Sequence, residues 1–324
     1  MSVHAIPDNS VLLEDTPCPL GCADAYDEFV IAGRDRLHKL PGEFTVVRCC
    51  VCGLMRTNPR PRAEALGYFY PHDYSPYHKP AGKKLRLRDH LAARAHRLLN
   101  AWRIPDLPPG RLLEFGCGPG GYLLWMANQG WSVAGLEISK DAAEIARALG
   151  FPVHVGPVET APDPIAPYDL SVGWMVVEHL YDPIKALRNL ASWTRDRGWL
   201  AISVPNAASS ERSLFGDSWF ALELPRHLYH FTPSTITSVL KKGGWEARQI
   251  YHERNLDNII ASCGYVLENA SNSIRLRWLS RQLVHFPTNV PLHFVTYPVL
   301  FPIACILATF GQTGRMTILA QKAD

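Results

Sequence analysis

Between residues 111 and 205, short apolar runs alternate with stretches whose apolar positions recur every three to four residues. "RLLEFG" reads as a strand, "GYLLWMANQG" as a short helix and "WSVAGLEI" as a second strand. Ser139 can cap the helix "KDAAEIARAL", which stops at Gly150. "PVHV" and the apolar "YDLSVGWMVV" follow as strands. Asp182 and Pro183 form the cap and first position of the helix "IKALRNLASW", and "WLAISVPN" is the fifth strand. This rhythm predicts an α/β protein with a doubly wound, mainly parallel sheet. Upstream, Leu85, Leu91, Ala95, Leu98, Leu99 and Trp102 mark a helix that the prolines from Pro105 end. Downstream, Thr232 and Pro233 open a helix ending at Gly243–Gly244. "WEARQIY" and "RMTILAQK" are strands, with some sixty residues of helical character between them.

Composition narrows the class. The chain has 324 residues, 47% of them hydrophobic and 19% charged, enough for one full-sized domain with appendages. A net charge of +3 is too balanced for a protein that tracks a phosphate backbone, which argues against a nucleic-acid partner. The opening "MSVHAIPDNS" has no signal-peptide pattern, so a cytoplasmic location is expected. In that compartment clustered cysteines favour metal over disulfides.

Strand one breaks into Gly116, Gly118, Gly120 and Gly121, a backbone that can turn sharply and approach a ligand closely. Glu137, about twenty residues on, ends the next strand where a carboxylate can hold two ribose hydroxyls. That pairing indicates a nucleoside cofactor, either a dinucleotide or S-adenosylmethionine, and spacing alone does not choose. Glu114, just before the first glycine, favours the latter: a carboxylate suits a ligand ammonium and repels a pyrophosphate.

"LLEFGCGPGG", "GLEIS", "YDLSVGWMVVEHLYDP" and "GWLAISVPN" resemble, in order and spacing, the class I S-adenosylmethionine-dependent methyltransferases, over residues 85 to 251. The resemblance implies a Rossmann-like sheet of seven strands whose last strand, "RMTILAQK", runs antiparallel beside "WEARQIY". It also implies that Glu114, Gly116, Gly118 and Gly120 line the methionine and ribose, that Glu137 holds the ribose and that Ile138 lies against the adenine. Cys117, Tyr122, Glu159 and Met175 complete the implied cofactor set.

The cofactor implied by that family carries a reactive methyl, so the protein has to align a nucleophile and often to remove its proton. Glu178–His179 follow strand four at the edge where doubly wound sheets bind ligands. "ELPRHLYHF", residues 223–231, resembles stretches in zinc-containing sugar C-methyltransferases where a histidine acts as base; His227 is the matching position and Arg226 stands where those have glutamate. His179, His227, Glu178 and His230 are therefore the catalytic candidates, with Tyr74 among the tyrosines of a lid (Tyr70, Tyr74, Tyr77). Each histidine could instead simply join a loop to the core.

Near the N-terminus "VRCCVCG" offers Cys49-x-x-Cys52 followed by glycine, and "CPLGC" offers Cys18 and Cys22. Four thiolates would close the shell of a structural Zn2+, leaving Cys50 as a packing residue. "CGLMRTNPRP" resembles the exit from a zinc ribbon that precedes this kind of methyltransferase domain; a ribbon without metal is the alternative. The expected organisation is a zinc-ribbon-like module at 1–60, a linker or lid at 61–84, a methyltransferase core at 85–252, a helical apolar insertion at 253–314 and a final strand at 315–324.

The uncharged run 290–311 is as long as a membrane span but contains Pro291, Pro298 and Pro302 and precedes a sheet strand. Lid, core or homodimer packing is expected there, with peripheral membrane contact through 274–311 as the alternative, since "SIRLRWLSRQL" is cationic and amphipathic. The functional expectation is methyl transfer to a small or medium-sized acceptor (natural product, sugar or quinone-like), assisted by a histidine base. RNA methylation and non-catalytic cofactor binding are the alternatives.

Overall fold

The computed structural model describes residues 12–23, 25–70, 102–270, 273–286 and 290–323. The helix expected from Leu85 and the lid residues Tyr74 and Tyr77 lie outside the described residues.

The N-terminal segment holds β1 (Leu13–Glu14), β2 (Asp27–Arg34), β3 (Glu43–Cys49), β4 (Met55–Thr57) and β5 (Arg60–Pro61). β2, β3 and β4 form an antiparallel meander, and β1 pairs β5. The alternating strands and helices then follow as β6 (Arg111–Phe115), α1 (Gly121–Ala127), β7 (Ser132–Glu137), α2 (Lys140–Ala148), β8 (Val153–Val155) and β9 (Tyr168–Trp174). α3 (Pro183–Trp193), β10 (Thr194–Pro205) and the short α4 (Ser210–Phe215) come next. After β11 (Tyr229–His230) come α5 (Pro233–Lys242) and β12 (Trp245–His252). α6 (Asp257–Ala270), α7 (Ile274–Val284), α8 (Val290–Thr309) and β13 (Arg315–Lys322) finish the chain.

The seven-stranded sheet has the order β12-β13-β10-β9-β6-β7-β8. β8, β7, β6, β9 and β10 are mutually parallel, while β13 runs antiparallel between β10 and β12. The expected sheet with its reversed last strand is thus present, and Ile318 stands opposite Ile202 on one side and Ile250 on the other. The helix starts form as their sequences dictate. Ser139 accepts from the Ala142 N–H, Asp182 from the Lys185 N–H, and Thr232 closes a capping box with Thr235. Each satisfies an amide that the first helical turn leaves without a partner.

Both faces of the sheet are covered. Leu187, Leu190, Trp193, Ile236 and Trp245 pack on one, and Tyr122, Leu123, Met126 and Trp131 on the other. The apolar faces of α3 and α5 supply the first cluster, which is why apolar residues recur every three to four positions there.

One pairing was not expected from the sequence. β11, near the end of "ELPRHLYHF", adds to the N-terminal meander, giving the order β11-β4-β3-β2. Tyr229 faces Arg56 and His230 faces Met55. The loop after strand five is therefore held as the fourth strand of the cysteine-bearing sheet.

Helices α6 to α8 fill the insertion before β13. α7 and α8 expose large apolar side chains in the single chain, among them Ile274, Trp278, Val299 and Ile303. Among the described residues no helix is long and apolar enough to cross a membrane.

Candidate active site and cysteine cluster

The turn after β6 requires its glycines. Gly116 and Gly120 sit at φ +70° and +82°, and a Cβ on Gly116 would lie 2.5 Å from the Val176 side chain. Glu137 clamps this turn: its carboxylate accepts from the Gly118 N–H at 2.8 Å and from the Ser139 N–H at 2.8 Å. Burial raises its pKa against those bonds, and one lone pair per oxygen remains for a ligand hydroxyl. Glu114 is buried in mid-strand, and its Oε2 meets no hydrogen-bond partner among the described residues. Burial first, and the Glu137 charge second, push its carboxyl well above the usual range. The indole N–H of Trp174, at the carboxyl end of β9, is likewise buried without a partner among the described residues. Buried polar atoms left in this state are where a polar ligand is expected to bond. The residues present fit a nucleoside cofactor with an ammonium tail.

The other expected cofactor residues surround that turn. The Cys117 thiol is buried beside Gly135, with its pKa pushed up by burial and then by Glu114 and Glu137. Tyr122 packs its ring among Trp102, Trp125 and Trp174 at 5.6, 5.4 and 5.3 Å. Met175 takes a positive φ of 58°, with its N–H donating to the Ser203 carbonyl at 3.0 Å. Ile138 is exposed at the rim, and Glu159 accepts from the Asp182 N–H at 3.4 Å, beside the start of α3.

Beyond β9 a 3-10 turn, Val177–His179, meets the 223–231 loop. Leu228 N–H donates to the Glu178 carbonyl at 2.8 Å, locking the two segments together. One carboxylate oxygen of Glu178 and one ring nitrogen each from His179 and His227 lie within 4.8 Å of one another. The two imidazoles meet edge-on with centroids 4.7 Å apart. His227 Nδ1 is 2.9 Å from the Ala221 carbonyl, and His179 Nδ1 is 3.0 Å from the Arg226 carbonyl and 2.9 Å from the Tyr70 hydroxyl. A carbonyl only accepts, so each Nδ1 carries the hydrogen and each Nε2 presents a lone pair. Burial lowers both histidines, His179 to about 3 with the neighbouring His227 adding to it, so both are neutral at physiological pH. Glu178 is fully buried and pushed up to about 8 by that burial.

His230 has a different role. The Thr57 hydroxyl donates to the His227 carbonyl at 2.7 Å, so the 3.2 Å contact to His230 has His230 Nε2–H donating to Thr57. Its Nε2 is spent on the junction between β4 and β11, and it is not part of the Glu178–His179–His227 cluster.

Glu223 and Asp35, which sequence reasoning did not single out, complete the site through Arg226. Arg226, fully buried, bonds Asp35 Oδ1 at 2.7 Å, Glu223 Oε1 at 3.1 Å and the Phe69 carbonyl at 3.0 Å. Glu223 also lies 3.5 Å from His227 Nε2. Burial opposes its ionisation, but His227, Arg226 and His179 outweigh that and lower its pKa. The spacing of Glu223 three and four residues before Arg226 and His227 was a signal for it; Asp35, nearly two hundred residues away, left none.

At the N-terminus the four expected cysteines converge: Cys18 Sγ lies 3.5 Å from Cys52 and 3.9 Å from Cys22, and all four sulfurs fall within 4.8 Å of one another. Gly53, at φ +73°, turns the chain so that its N–H donates to the Cys49 carbonyl. Burial opposes ionisation of Cys49, but N–H donation from Cys52 and Val51 brings it down to about 7, whereas burial pushes Cys22 up to about 11. The donor set fits tetrahedral thiolate coordination. Cys50 stays outside it, with its sulfur accepting from the Tyr26 N–H at 3.3 Å.

The methyltransferase domain family matches residues 85–250, just over half of the chain. The chain is 30% identical over 130 residues to a malonyl-[acyl-carrier protein] O-methyltransferase of Serratia marcescens, covering 40% of this chain and 50% of that one. It is 30% identical over 149 residues to a ubiquinone biosynthesis O-methyltransferase of Bordetella avium, covering 42% of this chain and 62% of that one. The match thus spans between half and about three fifths of these relatives. Among solved structures, an S-adenosylmethionine-dependent methyltransferase from Mesorhizobium loti aligns over 71% of this chain and 96% of its own, at 16% identity and a TM-score of 0.44. With the sheet order, the glycine turn and the family match in agreement, the chain belongs to the class I S-adenosylmethionine-dependent methyltransferases.

Proposed function

We propose that the protein transfers a methyl group to an oxygen of a small or medium-sized metabolite at the Glu178–His179–His227 cluster. The observation that carries the reading is the pair of neutral imidazoles, each with Nδ1 tied to a backbone carbonyl and Nε2 left to accept a proton. S-adenosylmethionine, when bound, supplies an electrophilic methyl on sulfonium sulfur. Glu114 and Glu137 would hold its polar parts against the Gly116–Gly120 turn. His227 or His179 accepts the hydroxyl proton at Nε2 while the acceptor oxygen forms its bond to the methyl carbon. The electron pair of the broken carbon–sulfur bond stays on sulfur, and the products are a methyl ether and S-adenosylhomocysteine. The names of the O-methyltransferase relatives support oxygen as the acceptor atom.

The four thiolates would hold one Zn2+ with no coordination position left for chemistry, so its role is to fix β3 and β4. β4 in turn carries β11 and with it the loop that presents His227.

A labelled-methyl assay against a metabolite extract tests the reading. Wild type should label a small-molecule fraction, and His227→Ala or His179→Ala should lose at least tenfold in kcat at saturating cofactor. Labelling of RNA alone, or undiminished transfer by both variants, would overturn it.

A further inference from the structure

Glu178 is a buried carboxyl with no partner for either oxygen among the described residues. A buried polar group left unpaired loses its hydration with nothing in return, so a buried orphan beside two imidazoles calls for a missing partner. The two imidazoles are not orphaned in the same way. Each is held by its Nδ1–H on a main-chain carbonyl, Ala221 for His227 and Arg226 for His179, which fixes ring orientation and leaves the Nε2 lone pair for a ligand. That is how histidines that ligate metal are held by their second-sphere partners. Arg315 is the cation whose charge Glu178 feels, yet it makes no hydrogen bond to either carboxylate oxygen, and the Arg226 guanidinium is taken up by Asp35, Glu223 and the Phe69 carbonyl.

We infer that Glu178, His179 and His227 bind a divalent first-row metal ion, separate from the cysteine cluster. Two nitrogen donors and one carboxylate, all within 4.8 Å of one another, match the donor set that Zn2+, Fe2+ and Mn2+ take in two-histidine, one-carboxylate sites. Three protein donors leave coordination positions open for oxygen, either of water or of the acceptor. The ion would bridge the turn after β9 to the 223–231 loop, two segments also joined by the Leu228–Glu178 main-chain bond and the His179–Arg226 bond, and Glu223, 3.5 Å from His227 Nε2, adds negative charge at its edge. The inference deepens the proposed methyl-transfer reading: with the ion bound, both Nε2 atoms are ligands. The ion would then replace the imidazole as activator: it would lower the pKa of an acceptor hydroxyl bound to it, and that hydroxyl would give its proton to solvent water before its oxygen takes the methyl.

Mn2+ is the discriminating probe, because four thiolates select Zn2+ while a nitrogen–oxygen site accepts manganese. Zinc-loaded, desalted full-length protein is titrated with Mn2+ and free ion is followed by electron paramagnetic resonance; Co2+ absorption is recorded in parallel. One Mn2+ per chain is expected in wild type, with at least tenfold weaker binding in Glu178→Gln and in His227→Ala, both checked for unchanged circular dichroism and unchanged zinc content. Bound Co2+ should give weak d–d bands without new thiolate-to-cobalt absorption. If neither ion binds beyond the cysteine site, or if Glu178→Gln binds as wild type does, the inference is wrong. Methyl transfer that persists in such metal-refusing protein would leave the imidazole-base reading standing; Mn2+ binding without transfer to any acceptor would sink the methyl-transfer reading alone.

Discussion

Replacing Asp35 by alanine should destabilise the protein by about 4 kcal/mol, through the loop that carries His227. Asp35 and Arg226 are both fully buried and 2.7 Å apart. Removing one member of a buried ion pair costs about 3–5 kcal/mol, because the remaining charge is left uncompensated. Arg226 keeps Glu223 at 3.1 Å and the Phe69 carbonyl at 3.0 Å, which puts the electrostatic part at the lower end, about 3 kcal/mol. Asp35 also accepts from the N–H groups of Leu37, His38 and Leu40 at 3.1, 3.2 and 3.4 Å. Water can reach that half-buried turn, so their loss adds only about 1 kcal/mol. Asparagine keeps an acceptor for those amides and should cost roughly half as much. Urea unfolding followed by fluorescence reads the difference, since Trp219 and Trp245 are both buried. A double-mutant cycle with Arg226→Met should give a coupling of at least about 2 kcal/mol. An Asp35→Ala protein within about 0.5 kcal/mol of wild type, or an additive cycle, would refute the reasoning.

The cysteine cluster and a buried carboxylate supply two more tests. Cys49→Ser should lose one equivalent of zinc relative to wild type on metal analysis and melt at lower temperature; unchanged zinc would refute the four-thiolate site. Glu211 accepts from the Gly314 N–H, and burial raises its carboxyl from 4.5 to about 7. Between those values the native state keeps a proton that the unfolded chain releases, so this group's contribution is full below pH 4.5 and is lost as pH rises through 7. The loss approaches roughly 3 kcal/mol, and Glu211→Gln should therefore gain on wild type between pH 5 and pH 8 in urea unfolding. A variant-minus-wild-type difference that is flat across that interval would contradict the burial argument.

The sheet and helix starts were legible because their signals are local. Asp182–Pro183, Thr232–Pro233 and Ser139 each specify a cap within four residues of chain, and all three form. The four cysteines announced themselves by spacing, and the glycine turn by its residues. Less could be read where the chain meets distant segments. The two-residue strand Tyr229–His230 is too short for any alternation, and its partners Arg56 and Met55 lie far upstream, so it read as loop. For the same reason His230 looked like chemistry: a histidine in an aromatic-rich loop cannot disclose that Thr57 already occupies its Nε2. His179 and His227 stood out as candidate bases, but Glu178 became a ligand candidate only once the fold set it near both.

The shared strand also bears on how such a chain can diverge. Residues 12–61 carry a sheet whose outer edge is completed by residues 229–230, so a transplant of the N-terminal segment alone would arrive with that edge unpaired. A chimera between relatives has to carry the 223–231 loop together with the cysteine segment. Position 56 with 229, and 55 with 230, should accordingly mutate in concert, so the identity of the loop that presents His227 is inherited with the cysteines and not with the cofactor turn.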